Sequence, residues 1–367
     1  MRIKKIHIQN YKSLVDFELE SPPPFCAFVG PNASGKSNIF EALEFTNYVA
    51  RFVFEAPTFF GGKESFFAYN PIQLGSNDNS FIAFEYEFND QILIHYDIAF
   101  SEKKNHQSHA NNITNIFDYS TDQKMRIHGL SISDIRDIDA RKKFIEKWKS
   151  NGKKYENDYE QFIDNFSRIF IGNDGFNPVP SINKLSFGAA NRSQIIGQIF
   201  EDKNKKDDFI EWMQILIPEF ERIEVKKNNI DGNFEYFIYE KSSTKPFSKK
   251  LISDGTKNIL ALLAAVYQSN TPQFLCIEEP ENGLHPQAIE LLVDFFREKC
   301  EDEGHHIWLT THSPTLVRCM GIDEVVLVNK IDGVTRARIA TNKKDLNIKT
   351  DEAWLTNSLR GGTLWSK

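Results

Sequence analysis

The side chains able to do chemistry fall in a few short runs. Gly30-Pro31-Asn32-Ala33-Ser34-Gly35-Lys36-Ser37 places glycines at its first and sixth positions and ends in Lys-Ser. Backbone N–H groups wrap a phosphate only where no side chain collides, which accounts for the glycines. A helix starting at the end of such a loop aims its N-terminal dipole at the anion. Lys36 then supplies a cation to the β- and γ-phosphates, and the Ser37 hydroxyl is a ligand for Mg²⁺. Asn38 follows directly. Phe274-Leu275-Cys276-Ile277-Glu278-Glu279-Pro280 is an apolar run ending in two carboxylates. Glu278 fits a residue holding Mg²⁺ through its water shell, and Glu279 one that orients and activates an attacking water. Alone, two adjacent acids also fit a solvated loop; beside a phosphate loop they read as a hydrolytic pair.

These groups need elements to position them. Phe25-Cys26-Ala27-Phe28-Val29 is continuously apolar, as in a strand buried on both faces, and it feeds the phosphate loop. After the loop, Ile39, Ala42, Leu43 and Thr46 recur on one helical face. Two short strands precede it, around Ile3, Ile6, Ile8 and around Val15, Phe17, Leu19. Residues 81–100 alternate as a hairpin turning at Asn89-Asp90. Residues 101–120 read as a polar loop and 130–220 as mostly helical, with Phe144, Ile145, Trp148, Phe162, Phe166 and Ile169 at helical spacing. The last 120 residues alternate helix and strand, which implies a parallel sheet flanked by helices. Ser253-Asp254-Gly255 opens the helix that includes Ile259 and Val266, where Ser253 also fits a plain N-cap. His312 follows the strand at residues 307–310.

Taken in order, GPNASGKSN, LISDGTKN, IEEPENGLHP and TTHSPTLV resemble the ABC-type, AAA-family ATPases related to RecF, SMC and the ATPase part of the OLD (overcoming-lysogenization-defect) proteins. The likeness covers roughly residues 1–100 and 220–340. It implies an α/β P-loop ATPase head: a parallel sheet with flanking helices, an antiparallel β lobe and a helical insertion. The expected division is 1–120 for the N-terminal part of the head, 121–220 for the insertion and 221–367 for the C-terminal part. The resemblance makes Ser253, Asp254 and Gly255 the signature sequence that meets a γ-phosphate across a dimer. It makes His312 a γ-phosphate sensor and residues 281–286 the loop that crosses the dimer interface. Lys12 is the basic residue that reaches nucleotide phosphates, and Gln73 is the candidate for the glutamine loop. Asp is usual at the first acidic position of the hydrolytic pair, and this chain has Glu278. ATP and Mg²⁺ are the implied substrate and metal. A homodimer or higher homo-oligomer is the implied assembly. Many bacterial members serve anti-phage defence or toxin–antitoxin-like modules beside a nuclease or other effector.

Composition narrows the field. The 367 residues are 40% hydrophobic and 13% aromatic, enough for a sizeable core, and carry a net charge of −7. A protein that coats nucleic acid would be basic, so any such contact would rest on a local patch. Arg141, Lys142, Lys143, Lys147, Lys149, Lys153 and Lys154 form one, opposed only by Glu146, although a solvated helix face has the same composition. Four scattered cysteines without C-x-x-C spacing argue for a reduced, cytoplasmic compartment and against a zinc site. The N-terminus alternates like a strand rather than a signal peptide, and no membrane span is expected. Too few residues follow His312 for another ordinary domain, so no nuclease is expected in this chain. A RecF-like repair ATPase and a non-hydrolysing nucleotide switch are the alternatives. A transporter ATPase fits less well, because Ser253 lies more than two hundred residues beyond Lys36.

Overall fold

The computed structural model describes residues 3–52, 60, 65, 79–88, 92–101, 112–120, 125–127, 160–172, 184–229, 232–248, 251–341 and 348–362, in places as backbone alone. Gln73 and the basic segment 141–154 lie outside the described residues. Along the chain the strands are β1 (Ile3–Tyr11), β2 (Leu14–Glu20), β3 (Phe25–Val29), β4 (Asn79–Phe88), β5 (Ile92–Ser101), β6 (Asn112–Ser120), β7 (Met125–Ile127) and β8 (Phe166–Ile169). They continue with β9 (Phe220–Lys227), β10 (Phe234–Glu240), β11 (Phe247–Ser248), β12 (Phe274–Glu278), β13 (His306–Thr311), β14 (Val325–Ile331) and β15 (Val334–Ile339). The helices are α1 (Lys36–Phe52), α2 (Arg192–Ile199), α3 (Lys203–Leu216), α4 (Asp254–Tyr267), α5 (Pro286–Asp302), α6 (Pro314–Cys319) and α7 (Thr350–Leu355).

The central sheet has the order β15-β14-β3-β13-β12-β8, parallel throughout except for β15. Its inner strands are apolar on both faces because both faces are covered. On β3, Phe25, Ala27 and Val29 join one core, while Cys26 and Phe28 join the other. The first core also takes α4, whose residues 259–267 are all buried, and the inner faces of α3 and α5. The second core lies between the sheet and the antiparallel sheet β2-β1-β4-β5-β6-β7, with α1 within it. Ile39, Ala42, Leu43 and Thr46 of α1 are fully buried, the face their spacing predicts. A third sheet, β11-β10-β9, is antiparallel. The architecture is α/β: a mostly parallel sheet with flanking helices and an antiparallel lobe.

Two segments differ from expectation. Residues 112–120, read as loop, form β6. The register against β5 slips between Ala99 and Phe100, leaving one extra residue on β6 and breaking the alternation that marks a strand. Within residues 121–220, read as helical, β7 and β8 are strands. β8 pairs in parallel with β12 at the edge of the central sheet. Phe166 and Ile169 are three apart, a spacing that a four-residue strand shares with a helix. Helices are present at α2 and α3, and Glu160–Asp164 forms a π-helical turn.

Candidate functional site

β3, β12 and β13 run parallel, so the loops after them meet at one end of the sheet. In open α/β sheets ligands bind beyond the carboxyl ends of strands. Here that end gathers residues 30–38, 278–282 and 311–313.

The phosphate loop is held tightly from behind. A Cβ on Gly35 would lie 2.0 Å from Thr335 Oγ1, and the residue has φ +101°, which a side chain disfavours. A Cβ on Gly30 would lie 2.2 Å from the Val328 carbonyl oxygen. Thr335 donates to the Ser34 carbonyl at 2.9 Å, and Asn38 donates to Ser13 Oγ at 2.7 Å. The loop between β1 and β2 is thereby tied to the phosphate loop. Lys12 in that loop ion-pairs with Glu41 of α1, and Tyr11 donates to the same carboxylate at 2.9 Å.

Lys36 lies inside its own loop, donating to the Gly30 and Pro31 carbonyls at 2.9 and 3.0 Å. Burial lowers its ammonium to about 8, against the pull of Glu279, Glu278 and Glu281 toward the charged form. Ser37 Oγ donates to Glu278 Oε2 at 2.6 Å. Glu278 is 3% exposed at the end of β12. Its other oxygen accepts from Arg168 Nε of β8 at 2.7 Å. No motif in the sequence points to Arg168. Its signal is a single cation within the apolar run FSRIF, in a stretch that reads as helix.

Glu279 follows with φ +46°, its N–H bonded to the Thr310 carbonyl at 2.9 Å. Its Oε1 is 3.6 Å from His312 Nε2, and its Oε2 accepts from Asn282 Nδ2 at 2.9 Å. Both Glu279 and His312 remain about one third exposed, at 31% and 34%. Burial, then the Lys36 charge, lowers His312 below the usual histidine value, with Glu279 and the Gly30 backbone opposing. Glu281 accepts from Thr311 Oγ1 and from the His312 N–H, and burial raises its carboxyl. Thus Lys36, Ser37, Glu278, Glu279 and His312 share one site, with Glu281 and Asn282 bracing it.

Ser253, Asp254 and Gly255 are elsewhere in the bonding pattern. Ser253 caps α4 by accepting from the Thr256 N–H at 3.1 Å, and Asp254 pairs with Lys257 at 2.9 Å. Among the described residues, no hydrogen bond or ion pair joins these three to residues 30–38. Gly255 instead lies against the loop after β12, where an added Cβ would be 2.8 Å from the Gly283 carbonyl oxygen. Asn258 donates to the Asn282 carbonyl at 2.7 Å from the same helix.

Mg²⁺ takes oxygen ligands and is usually held by one or two carboxylates together with substrate phosphates. The Ser37 hydroxyl and Glu278 carboxylate, in direct contact beside the phosphate loop, are a donor pair of that kind. Among the described residues no helix is long and apolar enough to cross a membrane.

A family model described as "AAA domain, putative AbiEii toxin, Type IV TA system" matches residues 25–318. A stretch of 43 residues is 49% identical to the chromosome partition protein Smc of Methanocaldococcus jannaschii; it covers 12% of this chain and only 4% of that protein. An SMC head bound to the C-winged helix domain of ScpA superposes with a TM-score of 0.59 at 14% identity, covering 95% of this chain and 100% of the other. The SMC head with an extended coiled coil from Pyrococcus furiosus, bound to the C-terminal domain of ScpA, gives 0.55 at 12% identity, covering 98% and 99%. The fold shared is that of an SMC head domain.

Proposed function

Since the chain belongs to the AAA-domain family described as putative AbiEii toxin, Type IV TA system, we propose that it is an SMC-like head that binds ATP with Mg²⁺, hydrolyses it, and closes on a second copy. The observation that carries this reading is the convergence of Lys36, the Ser37–Glu278 contact and the Glu279–His312 pair at one sheet end.

Residues 30–38 cradle the triphosphate with backbone N–H groups and the N-terminus of α1. The Lys36 ammonium turns from its loop carbonyls to the β- and γ-phosphates. Ser37 and Glu278 hold Mg²⁺, which when bound offsets the negative charge on the phosphate oxygens. Glu279 takes the proton of a water as the water oxygen bonds to the γ-phosphorus. The bond to the β–γ bridging oxygen breaks, leaving ADP and phosphate. Asn282 fixes the Glu279 carboxylate for that step, and His312 faces the γ-phosphate beside Gly30. Lys12 turns between Glu41 and the phosphates.

The exposed Ser253 and Asp254, with the half-buried Gly255 beside them, supply the γ-phosphate contact of the partner subunit, so that ATP joins two copies. Closure of the pair is the signal passed to a separate effector, a nuclease or toxin, in a defence or toxin–antitoxin-like module. Solved SMC heads carrying a bound ScpA domain give the precedent for a protein docked on such a head. Purified chain should release phosphate from ATP only with Mg²⁺ present, and Lys36→Ala should not. Equal turnover by the two proteins, after contaminants are removed, would refute the assignment.

A further inference from the structure

Arg168 is buried at the edge of the central sheet, its side chain 10% exposed, with its guanidinium 5.0 Å from the Phe187 ring centre. One side of the fork donates to a single oxygen of Glu278, Nε at 2.7 Å and the second terminal nitrogen at 2.6 Å. Its Nη1 donates to Glu44 Oε2 of α1 at 3.0 Å. The Glu278 oxygens are therefore divided: Oε1 belongs to Arg168, and Oε2 belongs to Ser37 at 2.6 Å. A glutamate reaches from β12 on three side-chain torsions, and each must be fixed for a defined ligand position. Ionised groups hidden from water need a partner; burial opposes the charge on Arg168, and Glu278 and Glu44 outweigh it, holding the guanidinium above its usual value.

We propose that Arg168 is a positioning residue for metal–nucleotide binding: by occupying Glu278 Oε1 it presents Oε2, and only Oε2, toward Ser37 and Mg²⁺. Its second grip, on Glu44, ties that alignment to the helix that begins with Lys36, adding a second link between that helix and the end of β12 beside the Ser37–Glu278 contact. The inference rests on the reading of Ser37 and Glu278 as the metal side of an ATP site. Partners that orient metal ligands typically contribute about 10- to 100-fold in metal affinity or activity when removed.

The test measures ATP binding to the full chain by calorimetry, once in EDTA and once in MgCl₂, for the wild type, Arg168→Gln and Arg168→Lys, with thermal unfolding followed in parallel. In EDTA all three should bind ATP alike, because the residue 30–38 loop is intact. The gain in affinity that Mg²⁺ gives should shrink by about 10- to 100-fold in Arg168→Gln. Arg168→Lys keeps the charge but not the fork, and should recover part of that gain. It also decides the matter if the Gln variant does not fold. A Mg²⁺ gain at the wild-type level in either folded variant overturns the proposal. So does an equal loss with and without Mg²⁺, which would make Arg168 a scaffold residue only. A wild-type chain that binds no ATP in either buffer instead removes the underlying site assignment, and this proposal with it.

Discussion

The two halves of the proposed chemistry are built very differently. At the end of β3, β12 and β13, each functional group has partners within the chain: Lys36 its loop carbonyls, Ser37 and Arg168 the two oxygens of Glu278, Asn282 and His312 the two oxygens of Glu279. At the start of α4, Ser253 and Asp254 are exposed and bonded only within their own helical turn. Preorganised donors are costly to bury unless they act there. Under the proposed function, the phosphate-loop end is a finished surface for a triphosphate. The α4 end is a finished helix cap whose chemistry has no target among the residues bonded to it. We read the difference as one site divided between two copies, with the loop of residues 281–286 as the join: Gly283 and Asn282 touch α4, while Glu281 and Asn282 brace the catalytic end.

Breaking the finished end should have the largest effect. Lys36→Ala removes a charge-assisted contact worth roughly 1.5–3 kcal/mol, so ATP affinity should fall about 10- to 100-fold and turnover should reach background; calorimetry and phosphate release check both. Next comes Glu279→Gln, which keeps shape and loses the base. Turnover should fall about 100- to 10,000-fold while ATP binding persists, and light scattering should find a doubled mass with ATP and Mg²⁺. A mass indifferent to ATP would detach Glu279 from any closed pair.

The join between the two ends is probed by Gly255→Ala. The added methyl meets the Gly283 carbonyl oxygen at 2.8 Å, so α4 or the loop must shift. A cost of about 1–3 kcal/mol is expected. It should be read as lowered melting temperature and slowed turnover, with ATP binding to the single chain retained. Loss of ATP binding in this variant would mean that the two ends are not separable.

The smallest effect concerns pH. His312 is lowered by burial and by Lys36, so its imidazole stays neutral to lower pH than an ordinary histidine. A step needing neutral His312 should therefore hold as pH falls to 6.5 and fail only below it. In stability the sign is the same: the unfolded chain takes up the proton first, so folding weakens as pH drops from about 6.5 toward the folded value. The pH profile of kcat/KM checks this, and an acid limb above 6.5 would contradict it.

How legible this was in the sequence varied with how local the signal was. Residues 30–37 and the Glu278–Glu279 pair are contiguous and carry their chemistry in their spacing, and β3, α1, α4, β12 and β13 lie where the apolar patterns place them. Non-local facts were hidden. β8 has only four residues, and its pairing with β12 crosses more than a hundred positions, so its apolar spacing reads equally as helix and nothing local marks Arg168. β6 lost its alternation to a register slip. Asn282 was visible only as part of a loop, because its role depends on Glu279 adopting φ +46° and turning a carboxylate oxygen toward it.

The central claim, that one site is shared by two copies, is tested most directly by mixing two inactive proteins. Lys36→Ala lacks a working phosphate loop, and Ser253→Arg blocks the α4 cap while keeping that loop. Each alone should show background ATP turnover. Mixed, they form pairs in which one site has an intact loop facing an intact cap, and turnover should return. Full turnover by Ser253→Arg alone, or a mixture as silent as its components, would contradict the account.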